Sequence, residues 1–125
     1  MDFKKLLAYQ KSFELAMFIF EISKSFPKEE TYSLIDQVRR SSRSVSANIA
    51  ESYRKRLYPK HFISKLSDAD AENSETSTWI DFALAFKYID KETHLKLTEQ
   101  SFEVGKLINY MIINPSKFGV NVVND

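Results

Sequence analysis

Residues 26–51 read FPKEETYSLIDQVRRSSRSVSANIAE, and this stretch decides how the chain folds. Pro27 followed by Glu29 and Glu30 marks a helix start: proline's fixed φ suits a first turn, and carboxylates oppose the positive helix N-terminus. Ile35, Val38, Ser42, Val45 and Ile49 then recur in a seven-residue pattern, the seam of a helix packed in a bundle core. At about 100° per residue, Arg39, Arg40, Arg43 and Arg54 share a second arc, with Ala47 and Ala50 among them. Small residues between arginines let another backbone come close, whether a protein helix or a phosphate chain. The helix is expected to fray near Tyr53, which leaves Arg54, Lys55 and Arg56 in its last turn or in the loop beyond.

Outward from this helix the punctuation is sparse, with two glycines and three prolines in 125 residues. Such a chain has few places to turn, which favours long helices over a sheet. Pro27, Pro59 and Pro115, with a break at Asp90, divide it into four helices. The first is expected from about Leu7 to Ser25, with Phe13, Ala16, Ile19, Phe20, Ser23 and Phe26 as its buried stripe. Leu15, Phe18 and Ile22 are apolar as well and point elsewhere on the wheel. A helix apolar over so wide an arc needs cover on a second side, which argues for oligomerisation. The third helix follows Pro59 and carries Phe62, Leu66, Ala69, Asn73, Thr76, Ile80 and Ala83 on its inner face. The fourth takes Asp90 as N-cap and buries Leu97, Ser101, Val104, Ile108 and Met111, with Phe102, Gly105 and Ile112 alongside. Asn114-Pro115 ends it. The reading is all-α, one domain over residues 1–125, with a disordered or loosely packed tail at about 115–125.

Charge is segregated along this frame. The whole chain carries a net +1, yet residues 37–60 hold seven basic residues against the single acid Glu51. From Leu66 to Phe86 there is no lysine or arginine, while Asp68, Asp70, Glu72, Glu75 and Asp81 are present. Asp68, Glu72 and Glu75 share one flank of the third helix with Trp79 and form a natural complement to the basic stripe. Arg39 and Arg40 are therefore divided between two roles, ion pairs to that flank and contact with an anionic partner. Arg43, Arg54, Lys55 and Arg56 are less easily absorbed, and RNA or DNA phosphate is the partner such a cluster suits. Tyr53 and Tyr58 flank the cluster and suit base stacking, whereas Trp79 is expected in packing or an interface. Asn48, beside the seam, reads as a register device or a satisfied amide.

Catalytic chemistry finds no matching pattern. His61 and His94 stand on different helices without an H-E-x-x-H or Glu-x-x-His spacing, so no metal site is expected. Gly105 and Gly119 are the only glycines and make no phosphate cradle, so no nucleotide cofactor is expected either. Ser41, Ser42, Ser44 and Ser46 lack a positioned base. The chain has no cysteine, which fits a reducing compartment. Asp2, Lys4, Lys5, Lys11, Glu14 and Glu21 interrupt the apolar N-terminal stretch, so no signal peptide or membrane span is expected and the location is read as cytoplasmic.

The block at Phe26 to Glu51 resembles the signature of the bacterial 23S rRNA intervening-sequence protein family: FPKEE, an aromatic residue, a Q-(I/V)-R-R-(A/S) stretch and an S-x-x-x-N-I-A-E run. The resemblance continues through KLSDADAENSETSTWIDFALAFKYI at Lys65 to Ile89 and INPSKF at Ile113 to Phe118. Ser52 stands where many members of that family carry glycine. The resemblance implies an antiparallel up-down four-helix bundle assembling into a ring, usually a homopentamer, without known catalytic activity. More distantly, the chain is similar to the accessory variability determinant of diversity-generating retroelements, a pentameric barrel that uses basic surface to bind nucleic acid and a reverse transcriptase. Arg39, Arg40 and Arg54 match the family's basic pattern, and Asn48 and Glu75 its polar signature. Two functions follow as expectations: RNA binding through the stripe on the second helix, or a protein-interaction scaffold whose arginines mainly stabilise the oligomer through ion pairs.

Overall fold

The computed structural model describes residues 2–121, and among these there are helices and turns but no strand. Four α-helices follow one another: α1 (Leu7–Ser23), α2 (Leu34–Arg54), α3 (Pro59–Ala85) and α4 (Lys91–Ile113), with short 3₁₀ turns at Phe3–Lys5, Lys28–Glu30 and Pro115–Phe118. Each helix packs on its neighbours in the cycle, α1 on α2, α2 on α3, α3 on α4 and α4 on α1. No helix among the described residues is long and apolar enough to cross a membrane.

Polar side chains mark how the helices run past one another. Ser12 Oγ lies 2.8 Å from Ser46 Oγ, and Arg39 Nε donates to Ser23 Oγ at 2.8 Å, so rising numbers on α1 meet falling numbers on α2. Thr76 Oγ1 lies 2.8 Å from Ser41 Oγ, while Lys65 reaches Glu51 at 2.9 Å, which gives the same reversal between α2 and α3. Asn73 Nδ2 donates to the Ser101 carbonyl at 2.9 Å and His94 Nε2 lies 2.8 Å from Asp81 Oδ1, repeating it between α3 and α4. A buried polar atom left alone is costly, so the buried pairs Ser12–Ser46, Ser41–Thr76 and Asn73–Ser101 hold register as well as contact.

The seam expected on α2 is buried at every position, and so are the seven inner-face residues of α3 and the five of α4. On α1 the expected stripe is corrected in part: Ile19, Ser23 and Phe26 are buried as expected, and Ala16 and Phe20 are half-buried. The residues it buries are Ala8, Ser12, Leu15, Ile19 and Ser23, whereas Phe13 is 50% exposed. The helix is apolar over a wide arc, so periodicity alone does not fix its rotation; Ala8 and Ser12 turn inward, Ala8 toward α4 and Ser12 onto Ser46 of α2.

Helix boundaries follow local chemistry. The start expected near Pro27 is a 3₁₀ turn, and α2 proper begins at Leu34. Glu30 explains the delay: its carboxylate accepts from Ser33 Oγ at 2.6 Å and from Tyr88 Oη at 2.8 Å, which fastens the turn to the far end of α3 before the helix opens. Asp90 caps α4 as expected, its Oδ1 accepting from Thr93 N–H at 2.7 Å. At the end of α3, Lys87 takes a left-handed φ of 64° and Tyr88 N–H donates back to the Ala83 carbonyl at 2.9 Å, a helix stop more often built on glycine. Beyond α4 the chain turns through Pro115–Phe118 and returns Val120 to the core. Residues 122–125 of the tail expected to be loose lie outside the described residues.

Candidate nucleic-acid interface

The outward arc of α2 presents Arg39, Arg40 and Arg43 along a groove of about 520 Å³, shared with Thr31, Asp36, Ser44 and Ala47. The seam turns Val38, Val45 and Ile49 inward, and helical rotation then delivers the arginines to the opposite side. Of the six basic residues singled out in the sequence, Arg39, Arg40 and Arg56 each have their own intramolecular partners, and Arg43, Arg54 and Lys55 are exposed.

Arg39 leans onto α1. Its Nε donates to Ser23 Oγ, its Nη2 lies 3.4 Å from the Phe20 carbonyl oxygen, and its guanidinium stands over the Phe20 ring at 4.7 Å. The pairing expected with Asp68, Glu72 or Glu75 is not made, because Arg39 lies on the α1 side of α2 and the acids lie on the α3 side. Arg40, about 100° further round, takes the acidic flank: Nη2 donates to Glu75 Oε1 at 2.6 Å and Nη1 reaches Glu72 Oε2 at 3.4 Å. The hydrogen bond it donates to Glu75 holds the Arg40 pKa above its ordinary value. Trp79 Nε1 donates to the same Glu75 oxygen at 3.3 Å, so Trp79 serves packing and orientation here. Asp68 receives no arginine among the described residues.

Arg43 is exposed, with its guanidinium 6.0 Å from the Phe20 ring, and Arg54 and Lys55 are exposed at the C-terminal end of α2. None of the three forms an ion pair among the described residues. Arg56 differs. Its Nε donates to the Tyr53 carbonyl at 2.8 Å, its guanidinium stacks at 3.7 Å over the Tyr53 ring, and Gly119 folds so close that an added Cβ would stand 3.3 Å from Nη1. Arg56 is thus covered by the C-terminal turn, and Tyr53 beneath it is buried. Tyr58 is exposed and lies against His61 with ring centroids 5.7 Å apart. Asn48 donates within its own helix to the Ser44 carbonyl at 3.0 Å and to Ser44 Oγ at 3.1 Å.

The sequence reading missed Phe20 and Ser23 as the seat of Arg39. Their three-residue spacing on one face of α1 was the available signal. Beside this basic groove lies a second, largely apolar one of about 460 Å³ between α1 and α2, walled by Phe13, Met17, Phe20, Ala47 and Ala50, with Arg43 at its margin. Among the described residues, no three His, Asp or Glu side chains come together as metal ligands.

A family model described as 23S rRNA-intervening sequence protein matches residues 4–110 of the chain. Among solved structures the chain is similar to a protein of unknown function from the S23 ribosomal protein family of Bacteroides thetaiotaomicron, at 30% identity and a TM-score of 0.78, covering 86% of this chain and 96% of that one. No curated protein matches.

Proposed function

This chain belongs to the 23S rRNA-intervening sequence protein family, and from that premise we propose that it is a non-catalytic, cytoplasmic, oligomeric helical-bundle protein that binds RNA through α2. The reversed order of contacts between successive helices supports an antiparallel up-down bundle, and the apolar groove on α1 and α2 supports assembly into a ring, which the family resemblance makes a pentamer.

One observation carries the RNA reading. The acidic flank of α3 neutralises Arg40 alone, and Arg43, Arg54 and Lys55 stay exposed without a carboxylate among the described residues. Unneutralised cations on one helix create a positive field, and repetition of that helix around a ring multiplies it. Contact of this kind reads phosphates and not base edges, so binding is salt-sensitive with little sequence preference. Arg39, Arg40 and Arg56 shape the surface from their intramolecular seats. The alternative, a scaffold whose arginines mainly stabilise the oligomer, is favoured by the Arg40 pair, but that pair lies within one chain.

An Arg43→Ala/Arg54→Ala variant tests the proposal. It is expected to remain oligomeric in sedimentation and to lose roughly tenfold in affinity for structured RNA at low salt, as the loss of two phosphate contacts requires. Unchanged affinity would overturn the RNA reading and leave the scaffold.

A further inference from the structure

We propose that the turn joining α2 to α3 is a stacking platform for unpaired bases, on which Tyr58 and His61 hold a single-stranded stretch of RNA. The inference rests on the RNA reading of α2 and specifies the form of RNA that it takes. Tyr58 N–H donates to the Lys55 carbonyl at 2.9 Å, which closes the turn and sets the residue directly beyond the basic end of α2. Pro59 then opens α3, and His61 lies against Tyr58 with ring planes tilted by 35°. Leu57 and Tyr58 are 87% and 59% exposed, and His61 is exposed as well, so the fold does not use these faces. Other aromatic rings at this end are taken. Tyr53 lies beneath Arg56, and Tyr110 carries Lys117 over its face at 5.2 Å with Phe118 set edge-on to it.

Charge brings an anion to this end. Because Gly119 lies against Arg56, while Leu6 and Leu7 share a pocket with Leu107 and Tyr110, the first turn, the α2/α3 turn and the end of α4 come together. Residues 2–8, 53–62 and 106–121 hold eight lysines and arginines against the single acid Asp2. None of the eight forms an ion pair among the described residues. Eight bases less one acid give this end +7 in a chain of net +1, and the remaining residues together carry −6. The sequence hides this polarity, because Lys4, Lys5, Lys106 and Lys117 lie far from residues 37–60. The field of this end steers the strand, Arg54 and Lys55 take phosphates beside the platform, and the rings take bases. Every base has a π face, so stacking adds affinity without sequence preference. Duplex RNA offers no such face, since its bases are already stacked on one another. A bilayer fits less well: Leu57 is the one aliphatic side chain of the turn, and a single buried leucine is a weak anchor.

Tyr58→Ala tests the platform, because this exposed ring can be removed without opening the core, and circular dichroism verifies helix content. The probes are a single strand of about ten adenylates and the duplex it forms with oligouridylate. Tyr58→Ala is expected to bind the single strand roughly tenfold more weakly than wild type, with an unchanged slope of log K against log salt, since a stack releases no counterions. Tyr58→Phe keeps the ring and is expected to keep the affinity, and all three proteins are expected to bind the duplex equally. Equal affinity of wild type and Tyr58→Ala for the single strand, beside a loss in Arg43→Ala/Arg54→Ala, would overturn the platform and leave phosphate contact as the RNA reading. A duplex weakened by Tyr58→Ala as much as the single strand would overturn it too. If Tyr58→Ala detached the protein from phosphatidylserine vesicles yet held oligoadenylate at the wild-type affinity, the turn would belong to a bilayer. Binding of neither RNA probe by wild type would remove the RNA reading and the platform together.

Discussion

Arg39 and Arg40 are adjacent in sequence and opposite in duty, because one step of helical rotation sends the first to α1 and the second to α3. Arg39 is held by a charge-assisted hydrogen bond to Ser23 and by the face of Phe20. Together these are worth about 1–2 kcal/mol in a half-buried setting. Arg39→Ala is therefore expected to lower the urea-unfolding free energy by about that amount, and Arg39→Lys to recover less than half, since an ammonium cannot stack on the ring and bond Ser23 in the same plane. Equal stability of wild type and Arg39→Ala would contradict this seat. The arginines themselves were legible in the sequence as a stripe, and Arg40's partners Glu72 and Glu75 were legible from the acid-only run of α3. Arg39's seat was not, because α1 is apolar over a wide arc and its rotation is set by tertiary contacts such as Ser12 with Ser46. The same ambiguity made Phe13 read as core. Arg56 read as a ligand contact because the tail beside it carries no periodic signal; its partial cover comes from the close approach of the left-handed Gly119, a tertiary event.

At the scale of elements, the inner faces of α3 and α4 were fully readable, since their buried residues recur at three-and-four spacing along each helix. The start of α2 was not, because Pro27-Lys28-Glu29-Glu30 satisfies the local rules for a helix N-terminus, while its Glu30 carboxylate is engaged by Ser33 and by the distant Tyr88. That clamp has a pH signature. Bonds from Ser33 and then Tyr88 hold the Glu30 carboxyl below its ordinary value of 4.5, and the bond to Glu30 raises the Tyr88 phenol above 10.0. A depressed carboxyl stabilises the fold above its unfolded pKa, and this contribution is lost as pH falls through the folded value; a raised phenol contributes below 10.0 and is lost as pH rises. The clamp is thus complete between these limits. Thermal melts from about pH 3 to 7 are expected to show Glu30→Gln with a shallower acid-side loss of stability than wild type. Tyr88→Phe is expected to share part of that change, because it removes one of the two side-chain bonds to Glu30 and spares the one from Ser33. Parallel acid limbs for wild type and Glu30→Gln would show that the turn is held by other contacts.

For the whole molecule, the decisive quantity is how many cations reach one RNA at once. A single chain offers Arg43, Arg54 and Lys55 as exposed basic residues of α2 without an acid partner. If all three meet phosphates of a single-stranded segment, counterion release gives a slope of about −2 in log K against log salt. A ring that engages the α2 stripes of several copies must exceed that, since each further copy adds its own phosphate contacts. At concentrations where the chain is oligomeric the wild-type slope is accordingly expected to be steeper than about −4, which two copies together would set, and at dilutions that leave a monomer in sedimentation to fall back to about −2 with far weaker binding at low salt. This pair of titrations separates charge from assembly, because dilution leaves Arg43, Arg54 and Lys55 in place. Equal slopes at the two concentrations would mean that RNA is held by one copy at a time, and the segregated charge of this nearly neutral protein would then act locally, without the multiplication that a ring supplies.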